Sequence, residues 1–292
     1  MPRSSLFLSV GAVALSALST PVSATSIPKY TCVDTWEGSS FYDNFNFFTD
    51  VDPTHGFVKY VDETTARNTG LIDSSAVSTA KWGVDDTHVV STDTSNGGGR
   101  PSIRLESKQS YTHGLFLADI KHMPGSVCGS WPAFWTLGSG TWPYNGEVDI
   151  IEGVNNQQSN QFSAHTSDTC VMSFPDQTGP PIAYDCSTNT SSSGCSVGSS
   201  QTNDYGNNFN ANNGGIYAMQ WTSDFIKLWF FPRNAIPPSI TAGKPDVTAF
   251  GTPQVDYAGS GCNIDSHFSE HRLIFDTTFC GDWAGEQFII WF

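Results

Sequence analysis

The sequence predicts an all-β fold, an antiparallel β-sandwich of jelly-roll type. Three observations carry this expectation. Aromatic residues make up 13% of the 292 residues and charged residues only 14%, while Gly, Ser, Thr and Asn abound. Such a composition suits strands joined by turns rather than helices. Short strand-like segments recur between turn signals. No stretch sustains a helical apolar period for several turns.

The elements follow in chain order. Ser102–Ser107 alternates polar and apolar residues. Leu115–Ile120 is apolar and follows Gly114. Glu147–Ile151 alternates after the turn signal Tyr144-Asn145-Gly146. Ile216–Trp221 and Phe225–Phe231 flank Thr222-Ser223-Asp224 and read as a hairpin. Arg272–Phe279 is a further strand. No repeat, linker or second domain interrupts the series, so residues 25–292 read as one domain.

Residues 1–24 read as a secretory leader. Arg3 supplies the positive end, Leu6–Leu18 the short apolar core, and Val22-Ser23-Ala24 the small-x-small cleavage pattern. The apolar run falls short of the ~20 residues that span a membrane. Removing Arg3 with the leader takes the formal charge from −15 to −16. So acidic a surface excludes nucleic acid and an anionic membrane as partners and suits solubility outside the cell.

A secreted chain makes disulfides the expected use of Cys32, Cys128, Cys170, Cys186, Cys195, Cys262 and Cys280. Seven is odd, so at least one lacks a partner within the chain. No C-x-x-C pair points to zinc. Asn189-Thr190-Ser191 is a glycosylation sequon within Ser187–Ser200, a Ser-rich stretch that reads as an exposed loop.

The sharpest local feature is Gly146-Glu147-Val148-Asp149-Ile150-Ile151-Glu152-Gly153. In a strand, residues i and i+2 share a face, so Glu147 and Asp149 point one way and Val148 and Ile150 the other. Strict alternation would send Glu152 into the core, where a bare carboxylate is costly. A β-bulge at Ile150-Ile151 resets the register and brings Glu152 beside the other two acids. Three carboxylates then line one face, with aliphatic residues behind them. Such a row fits a solvated polar face, a cation site, or a glycosidase whose paired carboxyls have separated pKa values.

The neighbouring aromatics favour the last. Trp131, Trp135 and Trp142 crowd the segment just before the acids. Flat apolar rings with polar edges match the C–H faces of sugars. Trp131 reads as core packing, whereas Trp135 and Trp142, beside Gly and Ser turns, read as cleft residues. A calcium site would favour Asn, Asp and carbonyl ligands in a loop over a Trp-lined strand.

The motif Glu147-Val148-Asp149-Ile150-Ile151-Glu152 resembles the E-x-D-x-x-E signature of family 16 glycoside hydrolases, in its bulged, laminarinase form. His122-Met123-Pro124, Gly129 to Ala133, Gly146 to Asn155, Trp229 to Asn234, and Phe279 to Gly285 are similar to segments of fungal secreted endo-β-1,3(4)-glucanases. The resemblance covers nearly the whole chain after the leader. It implies a jelly roll with a concave cleft and retaining hydrolysis of laminarin-type and mixed-linkage β-glucans. It implies Glu147 as nucleophile, Glu152 as acid/base and Asp149 as the helper carboxylate. Substrate contacts are implied for Trp135, Trp142, His165 and Trp283. Arg104 and Asn68 match polar sugar contacts, against the plainer readings of a strand salt bridge and a turn residue. No metal or cofactor is expected in the cleft, and the enzyme is expected to act as a monomer on β-glucan.

One departure stands out. Family members continue past Asp282-Trp283-Ala284-Gly285 with a Cys-containing segment and a closing strand, whereas this sequence stops in Phe288–Phe292. The expectation is a clipped C-terminus that leaves Cys280 without its partner and a sheet edge open. A glucan-binding lectin and a transglycosylase on the same scaffold are the competing functions. All three motif acids being present argues against the first.

Overall fold

The computed structural model describes residues 30–286 apart from 74, 76, 77, 92–97 and 192. The leader assigned to residues 1–24 and the apolar end at 288–292 lie outside the described residues. In chain order the strands are β1 Phe45–Phe47, β2 Val58–Tyr60, β3 Ile72–Asp73, β4 Lys81–Trp82, β5 Arg100–Ser102, β6 Arg104–Ser107, β7 Gly114–Ile120 and β8 Ser130–Leu137. They continue as β9 Glu147–Glu152, β10 Gln161–His165, β11 Pro181–Ala183, β12 Cys195–Gly198, β13 Gly215–Trp221, β14 Phe225–Pro232, β15 Val255–Ala258 and β16 Arg272–Phe279.

Two sheets form the sandwich expected from the sequence. The larger runs β1-β6-β16-β8-β9-β10-β12-β11 and the smaller β15-β14-β13-β7. All pairings within these two sheets are antiparallel. Consecutive strands often lie far apart in the order, as a jelly roll requires. Helices are limited to short pieces, among them α1 Glu63–Asn68. None among the described residues is long and apolar enough to cross a membrane.

Period-two alternation explains the core. On the hairpin β13–β14, Tyr217 pairs with Phe230, Met219 with Leu228 and Trp221 with Ile226. These face Phe134, Val148, Ile150, Ile151, Phe162, Ala164 and Val197 of the larger sheet and form the main apolar cluster with them. Directly opposed aromatic and aliphatic pairs are what hold such a sheet in register. The outer face of the hairpin is also buried, because Phe250 packs against Trp229 and Phe231. A third cluster, built on Tyr42, Phe45, Ile103 and Leu105, supports the β1–β6 end.

Two expectations are corrected. The strand expected over Ser102–Ser107 is broken at Ile103: β5 pairs in parallel with β2, and β6 joins the larger sheet. The stretch Ser187–Ser200 is not all exposed loop. Cys195–Gly198 forms β12, with Cys195 and Val197 fully buried. Serine and glycine hide this strand from composition, but a disulfide from Cys186 to Cys195 pins its start. Asn189 does lie exposed, and its side-chain amide donates to the Ser167 carbonyl at 2.7 Å. A second disulfide joins Cys170 and Cys262. Cys32, Cys128 and Cys280 are free thiols.

Candidate active site

The acids lie on β9, and the register shows how the chain arranges them. Leu137 of β8 pairs with Glu147, Thr136 with Val148 and Trp135 with Asp149, but the next pair is Phe134 with Ile151, then Ala133 with Glu152. Ile150 has no residue opposite it. The extra residue is the bulge expected from the sequence. It leaves Val148, Ile150 and Ile151 buried in the main core while Glu147, Asp149 and Glu152 share the opposite face. Gly146 opens the strand with φ 79°, where a Cβ would sit 2.5 Å from Phe268 Cδ1 and 2.6 Å from the His267 carbonyl oxygen. Only glycine fits that approach.

Each acid has its own partner. The indole Nε1–H of Trp142 donates to Glu147 Oε2 at 2.7 Å. The indole Nε1–H of Trp131 donates to Glu152 Oε1 at 2.8 Å. His165 on β10 stands opposite Glu147, with Nε2 3.2 Å from Asp149 Oδ2 and 3.8 Å from Glu147 Oε1. The Asp149 contact is a charge pairing without the alignment of a hydrogen bond. His165 Nδ1 has no hydrogen-bonding partner among the described residues.

The electrostatics follow from this crowding. Burial, then the charge of Asp149, raises the Glu147 carboxyl to about 8, while the His165 imidazole and the Trp142 N–H pull it down. Its side chain keeps 15% of its surface in solvent, so this desolvation is that of a recess and not of a sealed core. Glu152 is pushed well above the carboxylate range by burial and then by Asp149, against the pull of the Trp131 N–H. Burial opposes charge on His165, but Asp149, Glu147 and Glu152 outweigh it and lift the imidazole to about 9. The two glutamates titrate as an interacting pair beside the imidazole, so the row ionises stepwise and the first carboxylate formed holds the proton on the other.

The other expected site residues spread from this row. Trp135 lies on the same face, and its Nε1–H donates to Asp276 Oδ1 at 2.8 Å. Asp276 also accepts from Tyr60 at 2.9 Å. Arg104 is buried: it donates twice to Glu106 Oε1, at 3.0 and 2.8 Å, and lies 5.0 Å from the Trp135 ring centroid and 4.3 Å from that of Phe48. Its head is thus a strand salt bridge backing Trp135. Trp283 meets Trp131 edge-on at 5.6 Å. Asn68 is exposed at the end of α1. No described contact ties it to the acids.

Trp131 is a correction. It is not plain core but half-buried on the acid face, because β8 alternates with Trp131, Ala133, Trp135 and Leu137 all facing outward. The same parity that places Trp135 also places it. Asp276 is hidden from the sequence because a lone acid in a strand says nothing about the strand beside it.

Among the described residues, two groups have metal-like spacing. In one, Cys170 and Cys262 are spent in a disulfide. The other is Glu147, Asp149 and His165, within the acid row itself. Surface depressions of about 250 Å³ near Trp36 and Lys108 and about 340 Å³ near Trp229 and Gln254 lie away from the acids.

Comparison with known proteins identifies the family. The family described as XgeA-like, catalytic GH16 domain, matches residues 45–290. A probable endo-1,3(4)-β-glucanase of Aspergillus niger is 50% identical over 98% of the chain and 37% of its own length. The endo-1,3(4)-β-glucanase of Emericella nidulans is 46% identical over 98% of the chain and 45% of its own length. The chain thus spans about two-fifths of the length of these curated relatives. Among solved structures, an elongating family 16 β-1,3-glucosyltransferase is 51% identical with a TM-score of 0.81, covering 86% of this chain and 83% of that one. Laminarinase 16A of Phanerochaete chrysosporium, solved with β-glucans in its donor and acceptor sites, is 43% identical with a TM-score of 0.81, covering 87% and 85%.

Proposed function

The chain belongs to family 16 of the glycoside hydrolases, and from that membership we propose that it is a secreted, monomeric endo-β-1,3(4)-glucanase working by double displacement, with residues 25–292 as its catalytic domain. The observation that carries the reading is the carboxylate row. Two outer glutamates each accept an indole N–H, and an aspartate between them is paired with an imidazole.

Glu147 is the nucleophile. The imidazolium 3.8 Å away and the Trp142 N–H both favour its ionised form. Glu152 is the acid/base, its proton retained through burial and the negative charge of Asp149. Protonated Glu152 gives its proton to the glycosidic oxygen as Glu147 attacks the anomeric carbon and the aglycone leaves. Glu147 is then an ester and carries no charge, so the pKa of Glu152 falls. As a carboxylate it takes a proton from water, which displaces Glu147 and yields a product of retained configuration. Asp149 holds negative charge beside Glu152 and anchors His165. Trp135, Trp142 and Trp283 offer rings for sugar faces, and Asn68 a polar contact. Arg104 backs Trp135. Asn189 carries a glycan on the secreted protein.

Transfer to a sugar hydroxyl in place of water is the second reading, favoured by the 51% identity to an elongating glucosyltransferase. The protein is to be assayed on laminarin, barley mixed-linkage glucan and carboxymethyl cellulose, with product length followed over time. Short oligosaccharides from the first two and none from the third are expected. Products longer than the substrate would move the assignment to transfer. Folded protein that binds glucan and cuts none of the three would refute the enzyme reading in favour of a lectin.

A further inference from the structure

We propose that Asn160 is a positioning residue for this reaction, whose buried carboxamide clamps the bulge that turns Glu152 onto the cleft face. The proposal rests on Glu152 being the acid/base. Asn160 immediately precedes β10 and is 1% exposed. Its Nδ2 donates to the Ile150 carbonyl at 2.8 Å, and its Oδ1 accepts from the Glu152 N–H at 2.8 Å. These backbone groups flank the step where pairing with β8 passes over Ile150.

A bulge disrupts the ladder locally and leaves backbone groups to be satisfied in another way. A side-chain amide carries one acceptor and two donors in a fixed plane, so it can stand in for a missing strand residue. Aspartate has no donor and alanine has neither group. Asn160 is itself held at both ends of its backbone: its N–H donates to the buried Asp204 Oδ1 at 3.2 Å, and its carbonyl accepts from Ser199 N–H at 3.0 Å. The clamp is therefore anchored to the β12 side of the sheet.

The consequence falls on one carboxyl. With the bulge in place, Glu152 stands opposite Ala133 and reaches the Trp131 N–H. With strict alternation it would join Val148 and Ile150 on the core face. Asn160 makes no contact with Glu147, Asp149 or His165 among those described, so its loss should disturb the acid/base and spare the nucleophile.

The test compares wild type, Asn160→Ala, Glu152→Ala and the double variant on two substrates. Laminarin has a sugar leaving group that needs a proton. 2,4-Dinitrophenyl β-laminaribioside has a leaving group that departs without one. Asn160→Ala is expected to lower kcat/KM on laminarin about 100-fold, the scale of an ångström-sized misplacement, and to change it on the aryl glycoside by no more than about threefold. Added to Glu152→Ala, it should cost nothing further on either substrate, because the two act as one unit. Equal losses on both substrates, or a further loss in the Glu152→Ala background, would overturn the clamp and leave a merely structural asparagine. If Asn160→Ala does not fold, the isosteric Asn160→Asp, which keeps Oδ1 and loses the donor, takes its place: a loss confined to laminarin supports the clamp, and equal losses overturn it. Wild-type laminarin activity in Glu152→Ala would instead refute the acid/base assignment itself.

Discussion

Replacing Trp142 by Phe keeps a flat ring over the cleft and removes one hydrogen bond, the 2.7 Å contact from the indole to Glu147 Oε2. A hydrogen bond to a charged group is worth about 1.5–3 kcal/mol. Trp142 is 48% exposed, so water competes for both groups and the low end applies. About 1.4 kcal/mol is one pH unit. The N–H stabilises the carboxylate and not the acid, so its loss raises the Glu147 pKa further. The acid limb of kcat/KM, which reports the free enzyme, should therefore move up by about one unit. At a fixed pH below that limb, kcat/KM on laminarin should fall about tenfold, and above it the variant should approach wild type. A pH-independent drop with the limb unmoved would mean that Trp142 serves only as a stacking surface. Movement of the limb to lower pH would contradict a Trp142 N–H that stabilises the Glu147 carboxylate.

Other perturbations test separate parts of the site. Asp149→Asn removes the second-largest cause of the elevation of both glutamates. The alkaline limb, which reports Glu152, should move down in pH profiles, while burial preserves part of the elevation. Glu147→Ala and Glu152→Ala should each lose at least about 10²-fold on laminarin. On 2,4-dinitrophenyl β-laminaribioside, whose leaving group needs no proton, azide should then rescue Glu152→Ala to a β-glycosyl azide and Glu147→Ala to an α-glycosyl azide, distinguished by NMR, because only the first passes through the covalent intermediate. Opening Cys170–Cys262, whose partners are 92 residues apart, removes a larger chain constraint than opening Cys186–Cys195, 9 apart. On loop length alone the costs are about 4.6 and about 2.6 kcal/mol, so thermal unfolding of the two alanine pairs should rank in that order.

The parts of the fold legible in the sequence are those that alternation governs. Glu147 and Asp149 share a face by parity alone, and the cost of burying Glu152 forces a bulge at Ile150, where the register has it. The hairpin β13–β14 is legible because both strands alternate around a short polar turn. Partners across the sheet are not. That Trp135 reaches Asp276, or that Arg104 comes to lie by the Trp135 ring, depends on the spatial order β6-β16-β8. Trp131 misleads for a local reason: its neighbours Pro132 and Phe134 are core residues, and only counting parity from Trp135 puts it on the acid face. Asn160 sits in a polar turn that looks like any other. Its role emerges only when the two backbone groups left by the bulge are sought.

The central claim is that Glu147 forms the glycosyl ester. It is tested most directly by incubating the protein with 2,4-dinitrophenyl 2-deoxy-2-fluoro-β-laminaribioside, which loads the enzyme quickly and leaves it slowly. Digestion and mass spectrometry then locate the sugar. A stoichiometric adduct on Glu147 and on no other carboxylate is the predicted result. An adduct on Glu152 or Asp149, or turnover of laminarin with inverted products and no adduct, would contradict it.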